Sequence, residues 1–200
     1  WQGIGHISGG GATSRLLFSY PQPQLDAILD YLFLPRFGLS TQLLKVEIGG
    51  DGQSSEGVEP SHMHAADDLN YQRGYEWRLM VEAKKRNPHI RLGALAWTWP
   101  GWVGEGGRHA SPWNDVSISV NYTICWIRGL AQYNLTLDII DADWNERGWS
   151  PAFVVALRAA LDAEGFAQTR ILCGDDAHSF VCADSLKDNA ELSSAVFALG

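Results

Sequence analysis

Short apolar runs of strand length alternate with longer apolar runs at helical spacing, which predicts an α/β fold of parallel strands and crossover helices. That alternation alone fits a doubly wound sheet as well as a barrel. Clusters of polar, aromatic and acidic residues decide between them, because they follow the strands at residues 49–55, 97–102, 145–147 and 175–178. In a (β/α)8 TIM barrel all four clusters converge on the rim at the carboxyl ends of the strands. A barrel needs eight units, whereas this sequence supplies about the first five and the start of strand six. The expected fold is therefore an incomplete barrel.

Residues 3–8 read as the first strand, followed by the turn Gly9-Gly10-Gly11. Residues 25–33 place Leu25, Ile28, Leu29, Leu32 and Phe33 on one helix face. Residues 43–48 form the second strand. The polar stretch 53–70 that follows is long for a loop without a function. A helix is expected over 71–86, stopped by Asn87-Pro88. The third strand is 90–97 and the third helix 116–133. The fourth strand is 137–144, and Ser150 caps a helix over 151–164 with Pro151 at its first position. Residues 170–173 give a fifth strand, a poorly patterned helical stretch runs to Leu192, and 195–199 begin a sixth strand.

Composition bounds the function. The chain has 200 residues, enough for one sizeable core, and a formal net charge of −8, which argues against a nucleic-acid partner. Its longest basic run, Lys84-Lys85-Arg86, reads as a solvated helix face. No apolar run is long enough for a transmembrane segment. The chain opens directly with Trp1-Gln2-Gly3, as a trimmed N-terminus would. Of the three cysteines, Cys173 and Cys182 could pair, leaving Cys125 as a buried thiol. The tripeptides Asn121-Tyr122-Thr123 and Asn134-Leu135-Thr136 are glycosylation sequons that fit a secretory route.

Glu146 is the leading candidate for chemistry. It directly follows a strand, sits beside Asn145, and is flanked by Trp144 and Trp149, apolar bulk of the kind that raises the pKa of a general acid. The alternative is a helix N-terminal Glu with Arg147 as surface partner. Nine tryptophans occur, and Trp97, Trp99, Trp102 and Trp113 crowd one region after a strand. Flat aromatic rings match the apolar faces of sugars, which favours binding for Trp97, while Trp77 and Trp126 on helices read as core. Gly3, Gly5 and Ser8 fall short of a dinucleotide fingerprint, so no cofactor is expected. His62 and His64, with Asp67 and Asp68 nearby, resemble a metal cluster but lack a placed third ligand, so no metal is expected either. Asp175 and Asp176 could line the rim, though turn chemistry explains them equally well.

Blocks beginning Gly9-Gly10-Gly11, Lys45-Val46-Glu47, Glu59-Pro60-Ser61, Gly74-Tyr75-Glu76, Ala83-Lys84-Lys85, Trp99-Pro100-Gly101 and Trp144-Asn145-Glu146 together resemble glycoside hydrolase family 59, the galactocerebrosidase family. The resemblance runs the length of the chain and is weakest after Asp175. It implies a retaining glycosidase that removes terminal β-galactose from galactosylceramide, in a lysosomal or secreted protein. Glu146 would be the proton donor and acceptor, with Asn145, Trp97 and Ser55 contacting the sugar; at Ser55 the family carries Thr. The family's nucleophile, a Glu after the seventh barrel strand, has no counterpart here. Residues 1–200 are thus expected to be a partial catalytic domain, truncated at both ends and inert alone. A saposin-type lipid-presenting protein is the implied partner. A catalytically inactive carbohydrate-binding barrel is the competing reading.

Overall fold

The computed structural model of the chain describes residues 3–10, 13–54, 57–104, 111–175 and 180–200. Strands β1 (Gly5–Ser8), β2 (Leu43–Glu47), β3 (Arg91–Ala96) and β4 (Ile139–Trp144) lie parallel and adjacent in chain order. A two-residue strand, β5 (Gly148–Trp149), folds back antiparallel on β4, and the parallel series continues with β6 (Arg170–Cys173) and β7 (Ala198–Leu199). The helices between them are α1 (Thr13–Leu17), α2 (Gln22–Phe33), α3 (Glu76–Arg86), α4 (Val116–Gly129), α5 (Pro151–Ala163), α6 (Val181–Asp188) and α7 (Ala190–Ala195). Parallel strands that neighbour one another in sequence order give the α/β architecture of an incomplete TIM barrel.

The central strands β2, β3 and β4 are largely buried, and their two faces differ in character. Leu44, Val46, Leu92, Ala94, Ile140, Ala142 and Ile171 pack into one core with Leu25 and Leu29 of α2 and Val154, Leu157 and Leu161 of α5. Side chains alternate along a strand, so Lys45, Glu47, Asp141 and Asp143 lie on the opposite face. The helices are tied down by local caps. The Asp115 carboxylate accepts from the backbone N–H of Ser117 and Ile118, and Ser150 Oγ accepts from Phe153 N at 3.3 Å, as expected of an N-cap.

Five expectations need correcting. The helix expected from residue 71 begins at Glu76, because Gly74 adopts φ +95 and the distant Glu59 carboxylate accepts from the N–H groups of Tyr75 (2.7 Å) and Glu76 (3.2 Å). The helix expected to reach 133 ends at Gly129 and tightens into a 3-10 turn (Leu130–Tyr133) closed by Asn134 at φ +56. The stretch to Leu192 is two helices broken at Asn189, whose side chain caps the second by accepting from Leu192 N. The βα alternation is also interrupted: α1 follows β1, and β5 follows β4, both too short to show a period. Finally, Lys84-Lys85-Arg86 is more than a solvated face, since Arg86 bridges Asp26 and Asp30 of α2 to Glu82 of α3.

The long segment after β2 is anchored through a short buried stretch in its middle. Ser61, His62 and Met63 are buried, with Ser61 Oγ 2.8 Å from the Tyr122 hydroxyl and Trp102 Nε1 donating to Met63 O at 3.1 Å. Cys173 and Cys182 form a disulfide across β6 and α6, and Cys125 is a buried free thiol.

Candidate active site

The carboxyl ends of β3 and β4 are stitched together beyond the last ladder pair. Asn145 N donates to Ala96 O at 3.0 Å, and Trp144 Nε1 donates to Trp97 O at 2.9 Å. These bonds bring Trp97, Asn145 and Glu146 to the edge of one cavity of about 450 Å3, with Thr98, Trp99, Trp144, Arg147 and residues 52–54 completing its wall. Its position at strand carboxyl ends is where a parallel barrel gathers its polar loops.

Each side chain has a structural reason for its place. Trp97 lies against Gly9 in the turn after β1, where an added Cβ would meet the ring at 2.8 Å. The Asn145 amide has one orientation that suits both neighbours: Nδ2 donates to Asp175 Oδ2 at 3.0 Å, and Oδ1 accepts from Trp97 Nε1 at 3.2 Å. Glu146 is not a helix N-terminal residue. It occupies the tip of the β4–β5 hairpin, where Arg147 N donates to Trp144 O at 2.8 Å, and it adopts φ +56. A non-glycine residue in that region carries strain of order 1 kcal/mol, the kind of cost that clusters at functional sites. The Glu146 side chain is exposed to the cavity, and the Arg147 guanidinium stacks over the Trp144 ring at 5.3 Å.

Ionisable groups that the sequence reading passed over underlie this rim. Asp143 is 1% exposed; burial pushes its carboxyl up to about 7, against the lowering effect of Gly174 N, which donates to Oδ2 at 3.0 Å. Asp141, one turn of the pleat below, is also raised by burial and held partly down by Lys45, whose Nζ lies 2.6 Å from Asp141 Oδ2. That bridge spans β3 at Gly93, the residue paired with Lys45, where no side chain stands in the way. The signal was present in the sequence: acidic residues two apart within a strand expected to be buried on both faces.

The remaining expectations separate. Ser55, Asp176 and His178 lie outside the described residues, although the adjacent Ser54 lines the cavity. Trp99 and Trp113 pack edge-to-face at 5.8 Å and both contact Phe153, and Trp77 stacks on Trp126 at 4.9 Å as core. The two histidines part company: His62 packs against Tyr122 and burial lowers its pKa to about 4, whereas His64 Nδ1 meets Asp51 Oδ2 at the surface. Among the described residues no group of three or more His, Cys, Asp or Glu could hold a metal ion. Asn134 is exposed in its turn, as is Thr136; Asn121 is exposed on α4, but its Thr123 is buried with its hydroxyl donating to Ser119 O.

Comparison with known proteins agrees with this architecture. The chain is 49% identical over its whole length to galactocerebrosidase of Danio rerio and 48% identical to that of Homo sapiens. A putative galactocerebrosidase of Caenorhabditis elegans is 38% identical over 88% of the chain. The chain spans 30%, 29% and 26% of these three relatives, respectively. In fold it superposes on SrfJ from Salmonella typhimurium with a TM-score of 0.80 at 18% identity, covering 99% of this chain and 49% of that one. The endo-beta1,6-glucanase BT3312 gives 0.74 at 15% identity, covering 99% and 50%. The profile of Glycosyl hydrolase family 59 matches residues 1–200, and the chain belongs to that family.

Proposed function

We propose that the protein containing this chain is a retaining glycosidase that removes terminal β-galactose from galactosylceramide and related galactosphingolipids. The observation that carries the reading is the convergence of Trp97, Asn145 and Glu146 on one cavity at the carboxyl ends of adjacent barrel strands. In this mechanism Glu146 first protonates the leaving oxygen, then removes a proton from the water that releases the sugar. Trp97 offers an indole beside the sugar, and Asn145 a polar amide; Ser55 adds a hydroxyl. The second carboxyl group, the nucleophile, would come from the seventh barrel strand, which these residues do not include. The relatives named galactocerebrosidase support the choice of sugar and lipid.

The same reading makes galactolipid the substrate and a saposin-type protein its presenter, in a lysosomal or secreted setting. A disulfide and an exposed sequon at Asn134 support that setting. It also makes the isolated 200 residues inert and prone to aggregation. Ile7 is 63% exposed on outer strand β1, and an apolar cavity of about 430 Å3 opens beside it between Leu16, Leu17 and Ile28.

Glu146→Gln in the full-length protein tests the assignment. Turnover of a galactoside with a poor leaving group should fall about 10²–10⁴-fold, and a substrate with an acidic leaving group should lose much less in its first step. Retained turnover of the poor-leaving-group substrate overturns it. Binding of galactoside with no turnover in the unmodified protein would instead mark a carbohydrate-binding barrel.

A further inference from the structure

An asparagine that contacts a sugar can offer either its oxygen or its nitrogen, and the difference decides which hydroxyl geometry it accepts. Here the choice is made by two neighbours from different loops. Trp97 Nε1, after β3, occupies one lone pair of Asn145 Oδ1 at 3.2 Å, and Asp175 Oδ2, after β6, takes one Nδ2 hydrogen at 3.0 Å. One donor and one acceptor site of the amide are left, which suits a hydroxyl group that both gives and receives a hydrogen bond.

The loop bearing Asp175 is anchored independently of its side chain. Asp143 Oδ2 accepts from Gly174 N at 3.0 Å and from Asp175 N at 3.4 Å. Asp143 is on β4, two residues before Asn145. The same strand therefore grips the loop backbone through one side chain and is gripped by the loop carboxylate at another. Turn formation alone does not require this use of the Asp175 side chain, because the backbone already has its partners.

We infer that Asp175 is a positioning residue of the sugar site, which fixes the amide orientation of Asn145 and through it the indole edge of Trp97. The inference rests on the proposed reading that Asn145 and Trp97 contact the sugar. It adds a residue from the fifth barrel loop, on a side chain that makes no claim to touch the substrate itself.

A double-mutant cycle in the full-length enzyme tests it. Asp175→Ala should lower kcat/KM about tenfold or more in the unmodified background, and less than about twofold when Asn145 is already Ala. Asp175→Asn keeps an oxygen acceptor and should restore most of the loss, with the pH profile and melting temperature unchanged. If Asp175→Ala melts early, Asp175→Ser, polar but too short to reach Asn145, reads the same coupling. Additive losses, or no loss with Asp175→Ala or Asp175→Ser, overturn the role of Asp175. An Asn145→Ala enzyme that keeps full kcat/KM instead overturns the sugar-contact reading beneath it.

Discussion

Two faces of strand β4 carry opposite chemistry within the same few residues. Ile140 and Ala142 face the helices and are no more than 1% exposed, packed among aliphatic side chains. Asp141 and Asp143 face the other way, at 3% and 1% exposed, equally hidden but charged or chargeable. Equal burial thus means different things: on the helix side it stabilises through apolar contact, and on the barrel side it tunes ionisation and holds loops. The rim continues the second pattern, with a strained Glu146 and an amide fixed by a carboxylate.

The contrast predicts that damage on the two sides is of different kinds. Leu157→Ala, at a fully buried helix-side position, should cost about 2–5 kcal/mol of stability while leaving kcat per folded molecule unchanged. Glu146→Gly should do the reverse, abolishing turnover while raising stability by about 1 kcal/mol, since glycine accepts φ +56 without strain. Paired denaturation and single-turnover measurements check both; a catalytic defect in folded Leu157→Ala would blur the division.

Lys45→Met should cost about 2 kcal/mol at neutral pH, because it strands the Asp141 carboxylate in the barrel interior. The cost should shrink as pH falls, since without the lysine Asp141 takes up its proton more readily. Urea unfolding at two pH values reads this, and a cost independent of pH would refute it.

Three buried groups set a pH dependence of the whole fold. Glu59 is raised to about 8 from 4.5 and Asp143 to about 7 from 3.8, in each case first by burial. Their folded forms hold the extra proton, so their stabilisation is complete below the unfolded pKa values and is lost as pH rises through the folded ones. His62, lowered by burial to about 4 from 6.5, acts oppositely: its contribution is present above 6.5 and lost as pH falls towards 4. From these three, stability declines with a slope of roughly one proton's worth between pH 4.5 and 6.5. The decline doubles between 6.5 and 7 and continues through Glu59 alone to about 8. Melting curves across this range should show it, and Glu59→Gln, which keeps an oxygen for Tyr75 N and Glu76 N, should flatten the last segment. A melting temperature that climbs from pH 5 to 8 would contradict the assignment.

The smallest effect concerns the surface. In a secretory host the full-length protein should carry a glycan at Asn134 and none at Asn121, because Thr123 is buried within α4. Asn134→Gln should therefore remove one glycan from the mass spectrum and Asn121→Gln none.

Much of this was legible in the sequence because it is local. The alternating apolar runs specify the βα order, Ser150-Pro151 announces a helix start, and a Glu after Trp144-Asn145 at a strand end marks the rim. These features repeat within a few residues, so one pass along the chain can read them. Short elements escaped for the same reason: α1 and β5 contain too few residues to show a period, and the β4–β5 hairpin took Glu146 out of the helix start that its neighbours suggested.

What only the tertiary structure decided are the partnerships between residues far apart in the chain. Lys45 meets Asp141 across 96 positions, Glu59 caps a helix 16 residues away, and Asp175 fixes Asn145. Burial raises the Asp143 carboxyl, and that burial exists only once β4 lies between β3 and β6. The sequence by itself determined that Trp97, Asn145 and Glu146 follow the carboxyl ends of strands, since strand and loop order follow from periodicity. Which carboxylate is buried, which amide is held and which way it faces depend on neighbours brought in by other strands, and no local pattern encodes them.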